Sequence, residues 1–434
     1  MEGELKIREN PIVTKLDTPA FKSIFTEESR TLLKIFEKYG HEIRIAGGAV
    51  RDIIMDIHPK DIDFATTATP DEMKDMFTKE NIRMINMKGE KHGTITPRIN
   101  DKENFEVTTL RIDAITDGRH AEVIFTTDWL LDANRRDLTI NSMFLGADGS
   151  VYDYFFGYED LKNRRIAFVG NADRRIKEDY LRILRYFRFY GRIATDPNNH
   201  EESTIKAIKE NVDGLAKISG ERIWGELKKT LLGNFAKELI LKIKECNMFE
   251  YIGLPKTSST KDFEKLFELR SQSDEDFLPI TYLIPLLETA EDAAKLHERL
   301  KLSASERDTA FFITQNRDKF KEIDDILVYK KLSLEPYARK DFIEELLKYL
   351  GKWEIYKEFK AWKIPYFKIN GHVLKEKTSL KGEALGEVMK QLKLIWANDN
   401  FETTTDDLIE KYLPKIIEEV KIKDFPNKKV KVKK

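Results

Sequence analysis

At 434 residues the chain is long enough for about three domains with proper cores, and its 75 Lys+Arg against 76 Asp+Glu mean that net charge announces no nucleic-acid partner, so basic residues would have to gather on one surface. The single cysteine, Cys246, excludes an internal disulfide and reads as a small buried hydrophobe on a helix. No apolar run approaches the ~18 residues of a membrane span, and the opening Met1-Glu-Gly-Glu-Leu-Lys6 is too acidic for a signal or transit peptide, which only a longer form starting upstream would carry.

Apolar spacing predicts a helix over 21–39 and then strands around 42–46, 61–66, 83–87, 92–99 and 104–111. Helices are expected at 49–56, 70–80 and 127–136, and the polar, turn-rich stretch 112–125 reads as a mobile loop. Within this third lies Arg44-Ile-Ala-Gly-Gly-Ala-Val-Arg-Asp52, a strand, a glycine pair and a helix start. Such a turn brings backbone N–H groups to an anion, and Arg51 adds a cation in the first helical turn. Lys60-Asp-Ile-Asp-Phe-Ala65 follows. In an extended strand Asp61 and Asp63 share one face while Ile62 and Phe64 turn to the core. Carboxylates that close repel unless a cation lies between them, and Mg²⁺ takes a few carboxylates together with substrate phosphates. A phosphate cradle beside metal carboxylates points to nucleotidyl transfer.

A third acid, Glu106 in Glu103-Asn-Phe-Glu-Val-Thr-Thr-Leu-Arg111, completes such a site if its strand lies beside that of Asp61 and Asp63; otherwise it is an exposed strand glutamate. Asp132-Ala-Asn-Arg-Arg-Asp-Leu-Thr-Ile-Asn141 offers either charges that compensate a helix end or a phosphate and ribose clamp through Arg136 and Asp137. The stretch Lys177–Tyr190 reads as one helix, with Tyr180, Ile183, Leu184 and Phe187 on the packed side. Asp179, Arg182 and Arg185 fall on the other side, with Arg188 at the boundary. From about 171 onward helical periodicity takes over, with helices at 200–217, 220–232, 235–247, 261–270, 277–300, 303–328, 335–349 and 352–362 and a tail element at 368–395. The last residues, Asn427–Lys434, are basic and read as a solvated tail.

Taken in order, Gly47-Gly-Ala-Val-Arg-Asp52, Asp61-Ile-Asp63, Arg135-Arg-Asp137, Asp153…Gly157…Asp160-Leu161, Glu178-Asp-Tyr-Leu-Arg182 and Glu221-Arg-Ile-Trp-Gly-Glu-Leu227 resemble the class II tRNA nucleotidyltransferases, the CCA-adding enzymes. The resemblance implies an α+β fold with a polymerase-β-like nucleotidyltransferase head followed by an all-α neck, body and tail. The corresponding boundaries are 1–150 for the head, 151–232 for the neck, 233–362 for the body and 363–434 for the tail. It implies template-independent addition of C, C and A to tRNA 3′ ends from CTP and ATP, with Mg²⁺ held by Asp61, Asp63 and Glu106. Gly47, Gly48 and Arg51 would meet the triphosphate, and Arg136 and Asp137 the phosphate and ribose. Asp179 and Arg182 would read the base, Arg185 and Arg188 would touch nucleotide or phosphates, and Glu221 and Arg222 would brace the neck. The loop with Asp117-Gly-Arg-His120 resembles the element needed for the final A. Where the family has Gly-Gly, this chain has Phe156-Gly157. Arg164, Arg165, Arg174, Arg175, Lys228 and Lys229 are candidate RNA contacts, and no membrane partner is implied. Monomer and homodimer are both open. The compartments implied are cytoplasm and nucleus, with mitochondria served through a longer N-terminal form. The alternatives are a poly(A)-adding relative or a non-catalytic RNA-binding relative.

Overall fold

The computed structural model describes residues 6–85, 87–116 and 121–422. Two compact units emerge, one running to Thr257 and including Leu296–Leu302, the other comprising Ser258–Lys295 and the chain from Ser303.

The first unit opens with a mixed sheet. Its strands are β1 (Ile12–Lys15), β2 (Ile43–Ala46), β3 (Asp63–Thr66), β4 (Arg83–Ile85), β5 (Thr94–Ile99), β6 (Glu103–Asn104) and β7 (Glu106–Thr109). A separate pair, β8 (Arg111–Thr116) and β9 (Ala121–Phe125), precedes β10 (Phe144–Leu145) and β11 (Ser150–Tyr152). The order across the main sheet is β1-β11-β10-β2-β3-β7-β5-β4, with β6 on β5. The decisive pairings are central. Antiparallel β2 and β3 set Ala46 opposite Asp63, and parallel β3 and β7 set Asp63 opposite Glu106. Phe64 and Val107 are nearly fully buried, so a one-residue slip would send those acids into the core; burial therefore locks the register.

The stretch expected as a loop at 112–125 instead supplies β8 and β9, which pair antiparallel with Arg111 opposite Phe125 and Ile112 opposite Ile124. Its turn signals outweighed an alternation that only a partner strand could reveal. The expected loop residues Asp117–His120 and the basic end Asn427–Lys434 lie outside the described residues. The helix expected over 21–39 is two helices, α1 (Pro19–Ser23) and α2 (Glu27–Lys38), because Thr26 accepts from Ser29 N and caps a new start.

Helix α3 (Gly48–Ile54) follows β2 through Gly47, whose φ of 67° and ψ of −129° suit only glycine. Further along lie α4 (Pro70–Lys79), α5 (Trp129–Asn134), α6 (Gly157–Lys162), α7 (Ala172–Glu178) and α8 (Leu181–Ile193). The predicted single helix over 177–190 is thus broken. Asp179 is extended (φ −154°, ψ 105°), and its Oδ1 accepts from Leu181 N at 3.1 Å, an aspartate turn that closes α7 and opens α8. Ile183, Leu184 and Phe187 bury the packed face of α8 as expected and Tyr186 joins them, whereas Tyr180, expected on that face, is the N-cap and only half-buried. The unit continues with α9 (Glu202–Glu210), α10 (Gly220–Leu231) and α11 (Ala236–Glu245).

The second unit is helical. Helices Ala304–Phe320, Ile326–Leu332, Lys340–Tyr349 and Trp353–Ala361 surround a core of Ile313, Tyr329, Ile343, Leu346 and Phe359. A second cluster, with Leu374, Val388, Leu392 and Ile416, joins Gly371–Lys377, Gly382–Asn398 and Leu413–Ile422. The helix expected over 277–300 begins instead as a 3₁₀ stretch, Pro279–Leu286, since Pro285 cannot donate to an α-helical ladder. Among the described residues no helix is long and apolar enough to cross a membrane.

Candidate active site

The first unit holds a cavity of about 1110 Å³. The ends of β2, β3 and β7, the Gly47-Gly48 turn, the segment after α5, and helices α8 and α10 line it. Every sequence-predicted site residue is on its wall: Gly47, Gly48, Arg51, Asp61, Asp63, Glu106, Arg136, Asp137, Asp179, Arg182, Arg185 and Arg188.

Asp61, Asp63 and Glu106 are exposed to the cavity, and no hydrogen bond or ion pair satisfies them among the described residues. Strand alternation does not align the first two, because β3 begins only at Asp63 and Asp61 sits in the bend before it. Desolvation by the cavity walls, then Glu106, then Asp61 push the Asp63 carboxyl above its ordinary range, against a smaller opposing pull from Arg136. Hard oxygens, unpaired and mutually repelling, suit a divalent cation. Among the described residues no three His, Cys, Asp or Glu side chains are already spaced to close on one ion.

Much of the remaining wall is arginine, and most of these side chains are tied to an acid. Arg51 is 2% exposed; it donates to Asp52 Oδ1 from Nε (3.2 Å) and Nη2 (3.1 Å), and to Asn141 Oδ1 from Nη1 (2.9 Å). Asp52 also takes Arg192 of α8 on both oxygens, at 3.0 and 2.8 Å. Asp132, buried within α5, pairs with Arg135 (2.8 Å) and Arg136 (2.9 Å). Asp137 accepts from Arg185 Nε at 2.5 Å and from Asn141 Nδ2 at 3.2 Å. Burial opposes its ionisation most strongly, but the Arg185 guanidinium, the Leu138 N–H and the Asn141 amide together hold the carboxyl below its usual range. Arg188 pairs with Glu226 of α10 at 2.9 Å.

Asp179 and Arg182 do not pair with each other. Asp179 Oδ2 accepts from Arg222 Nη2 at 2.6 Å. Arg182 donates to Glu178 Oε2 (2.6 Å), Arg175 O (2.8 Å) and Arg135 O (2.9 Å). The guanidinium has five N–H donors, so two remain for a ligand; the Asp179 carboxylate likewise keeps lone pairs beyond those used by Arg222 and Leu181.

Sequence reasoning missed several of these groups. Asp52, Asn141 and Glu226 all lie inside the quoted motifs, yet a motif does not say which polar residue turns inward. Arg222 pairs with Asp179, while Glu221 is exposed and forms no ion pair among the described residues; the buried acid is Glu226. Arg175, a candidate RNA contact, is buried and bonded to Glu178 and Val169 O. Phe156 takes the left-handed conformation itself (φ 63°), with Arg8 stacked on its ring at 4.4 Å.

Residues 43–167 match the family of the Poly A polymerase head domain, and 200–259 match the probable RNA and SrmB- binding site of polymerase A. The chain is 49% identical over 407 residues to the human protein named CCA tRNA nucleotidyltransferase 1, mitochondrial, covering 91% of this chain and 92% of that one. It is 31% identical over 332 residues to the CCA-adding enzyme of Staphylococcus saprophyticus, covering 75% and 77%. In fold it resembles the Bacillus stearothermophilus CCA-adding enzyme solved in complex with CTP (TM-score 0.71, 23% identity, 94% and 99% covered). It also resembles the Thermotoga maritima CCA-adding enzyme complexed with tRNA_CCA (TM-score 0.66, 20% identity, 94% and 100% covered). Identity near one half, sustained over nine-tenths of both chains and joined to these six ordered motifs, means that the chain belongs to the CCA tRNA nucleotidyltransferase family.

Proposed function

We propose that this protein adds the CCA sequence to tRNA 3′ ends from CTP and ATP, without a nucleic-acid template. The observation that carries the reading is that one cavity gathers three unpaired carboxylates, a Gly-Gly turn at a helix start and the arginine face of α8. Asp61, Asp63 and Glu106 would hold Mg²⁺. Divalent cations there would lower the pKa of the tRNA 3′-hydroxyl and offset charge on the departing pyrophosphate. Gly47, Gly48 and Arg51 present N–H groups to the triphosphate, and Arg136, Arg185 and Arg188 add charge along it. Asp137 accepts from the ribose.

Asp179 and Arg182 take the place of a template. Cytosine offers an N4 donor beside N3 and O2 acceptors, and adenine an N6 donor beside N1; an acceptor next to a donor meets both. Uracil presents N3–H between two carbonyls and mismatches that order. The tRNA is held by shape and phosphate contacts, because every tRNA must be accepted. In this reading 1–150 forms the head, 151–232 the neck, 233–362 the body and 363–434 the tail. The activity serves mitochondria, the compartment in the names of the human, mouse and zebrafish relatives, and also cytoplasm and nucleus.

The test supplies tRNA lacking its 3′ end with each nucleoside triphosphate singly and in mixture. Addition of two C and then one A is expected; long A tails, or indifference to CTP, would favour a poly(A)-adding relative instead. Asp61→Ala is expected to abolish incorporation while tRNA binding persists, and undiminished incorporation would remove the metal assignment.

A further inference from the structure

Asn141 ends the Arg135–Asn141 motif and has no role in the reading so far. It lies in the 3₁₀ turn Thr139–Asn141 and is 7% exposed. Each polar group of its side chain, and its carbonyl, meets a different residue of the nucleotide wall. Oδ1 accepts from Arg51 Nη1 at 2.9 Å, Nδ2 donates to Asp137 Oδ1 at 3.2 Å, and the backbone carbonyl accepts from Arg136 Nη1 at 3.3 Å. The amide's orientation is not ambiguous: Arg51 can only donate and the ionised Asp137 can only accept.

The terminal torsion of an aspartate is broad, so one bond fixes its carboxylate plane poorly. Arg185 holds Asp137 Oδ2 at 2.5 Å, and Asn141 supplies the second anchor on Oδ1. With the backbone N–H of Leu138 also on the carboxylate, these bonds leave further lone pairs in a defined plane at the cavity wall. The same amide ties that plane to Arg51, which flanks the Gly47-Gly48 turn.

We propose that Asn141 is a positioning residue for ribose selection, orienting the Asp137 carboxylate toward the sugar hydroxyls and registering it against the triphosphate end through Arg51. The proposal rests on the reading of Asp137 as the ribose acceptor, and the experiment separates the two. Single-addition kinetics on tRNA lacking its 3′ end compare CTP with 2′-deoxy-CTP, using the full chain. Two variants probe different halves of the amide. Asn141→Leu removes both side-chain bonds at similar volume, whereas Asn141→Asp keeps an acceptor for Arg51 but has no donor for Asp137.

In both variants the ratio of kcat/KM for CTP over 2′-deoxy-CTP is expected to fall about tenfold, the effect of one lost hydrogen bond, through slower use of CTP. A purely structural role would slow both substrates alike and preserve the ratio, which would overturn the proposal. Each ratio comes from one preparation, so any unfolded fraction cancels. Asp137→Ala is the control. If it keeps the wild-type ratio, the ribose reading fails and this inference with it. If it loses the ratio while both Asn141 variants keep it, the inference about Asn141 alone fails.

Discussion

Arg185 shows how the cavity holds so much positive charge without a ligand. Its guanidinium meets Asp137 at 2.5 Å, and neighbouring arginines on α8 meet Glu178, Glu226 and Asp52 from other elements. A buried guanidinium left alone would be expensive, and these pairs hold each one in place before a nucleotide arrives. Asp179 has the same character. Arg222 holds it at 2.6 Å and leaves lone pairs for a base. Asp179→Ala is expected to narrow the preference for CTP over UTP by about tenfold, since the acceptor for the cytosine amino group is lost. Arg222→Ala should narrow it less, because the carboxylate remains and only its brace goes. Single-nucleotide incorporation with each triphosphate measures both; an unchanged preference in Asp179→Ala would count against base reading.

At the scale of elements, two short breaks set the geometry. The aspartate turn between α7 and α8 puts Asp179 in extended backbone, where one carboxylate oxygen caps Leu181 and the other meets Arg222. The other break is the entry to α6. There Asp153 accepts backbone N–H bonds from Phe155 (3.1 Å), Gly157 (3.0 Å) and Tyr158 (3.0 Å). A Cβ on Gly157 would lie 2.1 Å from Thr139 O, a backbone atom that cannot step aside. Gly157→Ala is therefore expected to destabilise the protein by about 2–3 kcal/mol in denaturant unfolding. Phe156→Gly should shift stability by under about 1 kcal/mol, since relief of the left-handed backbone offsets lost stacking and a freer unfolded chain. A larger effect at 156 than at 157 would reverse this assignment. The departure from the family's Gly-Gly thus falls on the position where a side chain has room.

For the molecule as a whole, stability carries a pH dependence from His200. Its Nδ1 shares a hydrogen bond with Tyr186 Oη at 2.9 Å, and its ring lies 3.9 Å from that of Tyr190. Desolvation first, and Lys242 second, lower its pKa from 6.5 to about 4. Above pH 6.5 the imidazole is neutral in both folded and unfolded chains, and its full contribution is present. Between pH 6.5 and about 4 only the unfolded chain takes up the proton, so stability falls as pH falls. Denaturant midpoints measured across that window should drop, and His200→Gln should flatten this part of the profile; an equal drop in the variant would place the titration elsewhere.

The chain order of motifs, the strand at the Gly-Gly turn, most of the apolar face of α8 and the acids of the cavity are legible in the sequence, because periodicity and turn chemistry act over a few residues. Helical structure within 368–395 was readable for the same reason, whereas the helix Leu413–Ile422 was not. Which charge meets which was not. Asp52 with Arg192, Glu226 with Arg188 and Asn141 with Arg51 are separated by 140, 38 and 90 positions, and no local pattern encodes such pairs. The hairpin of β8 and β9 and the break at Asp179 belong to the same class. Each depends on a hydrogen-bond partner that only the folded chain supplies, so local propensity set the parts and tertiary packing chose their partners.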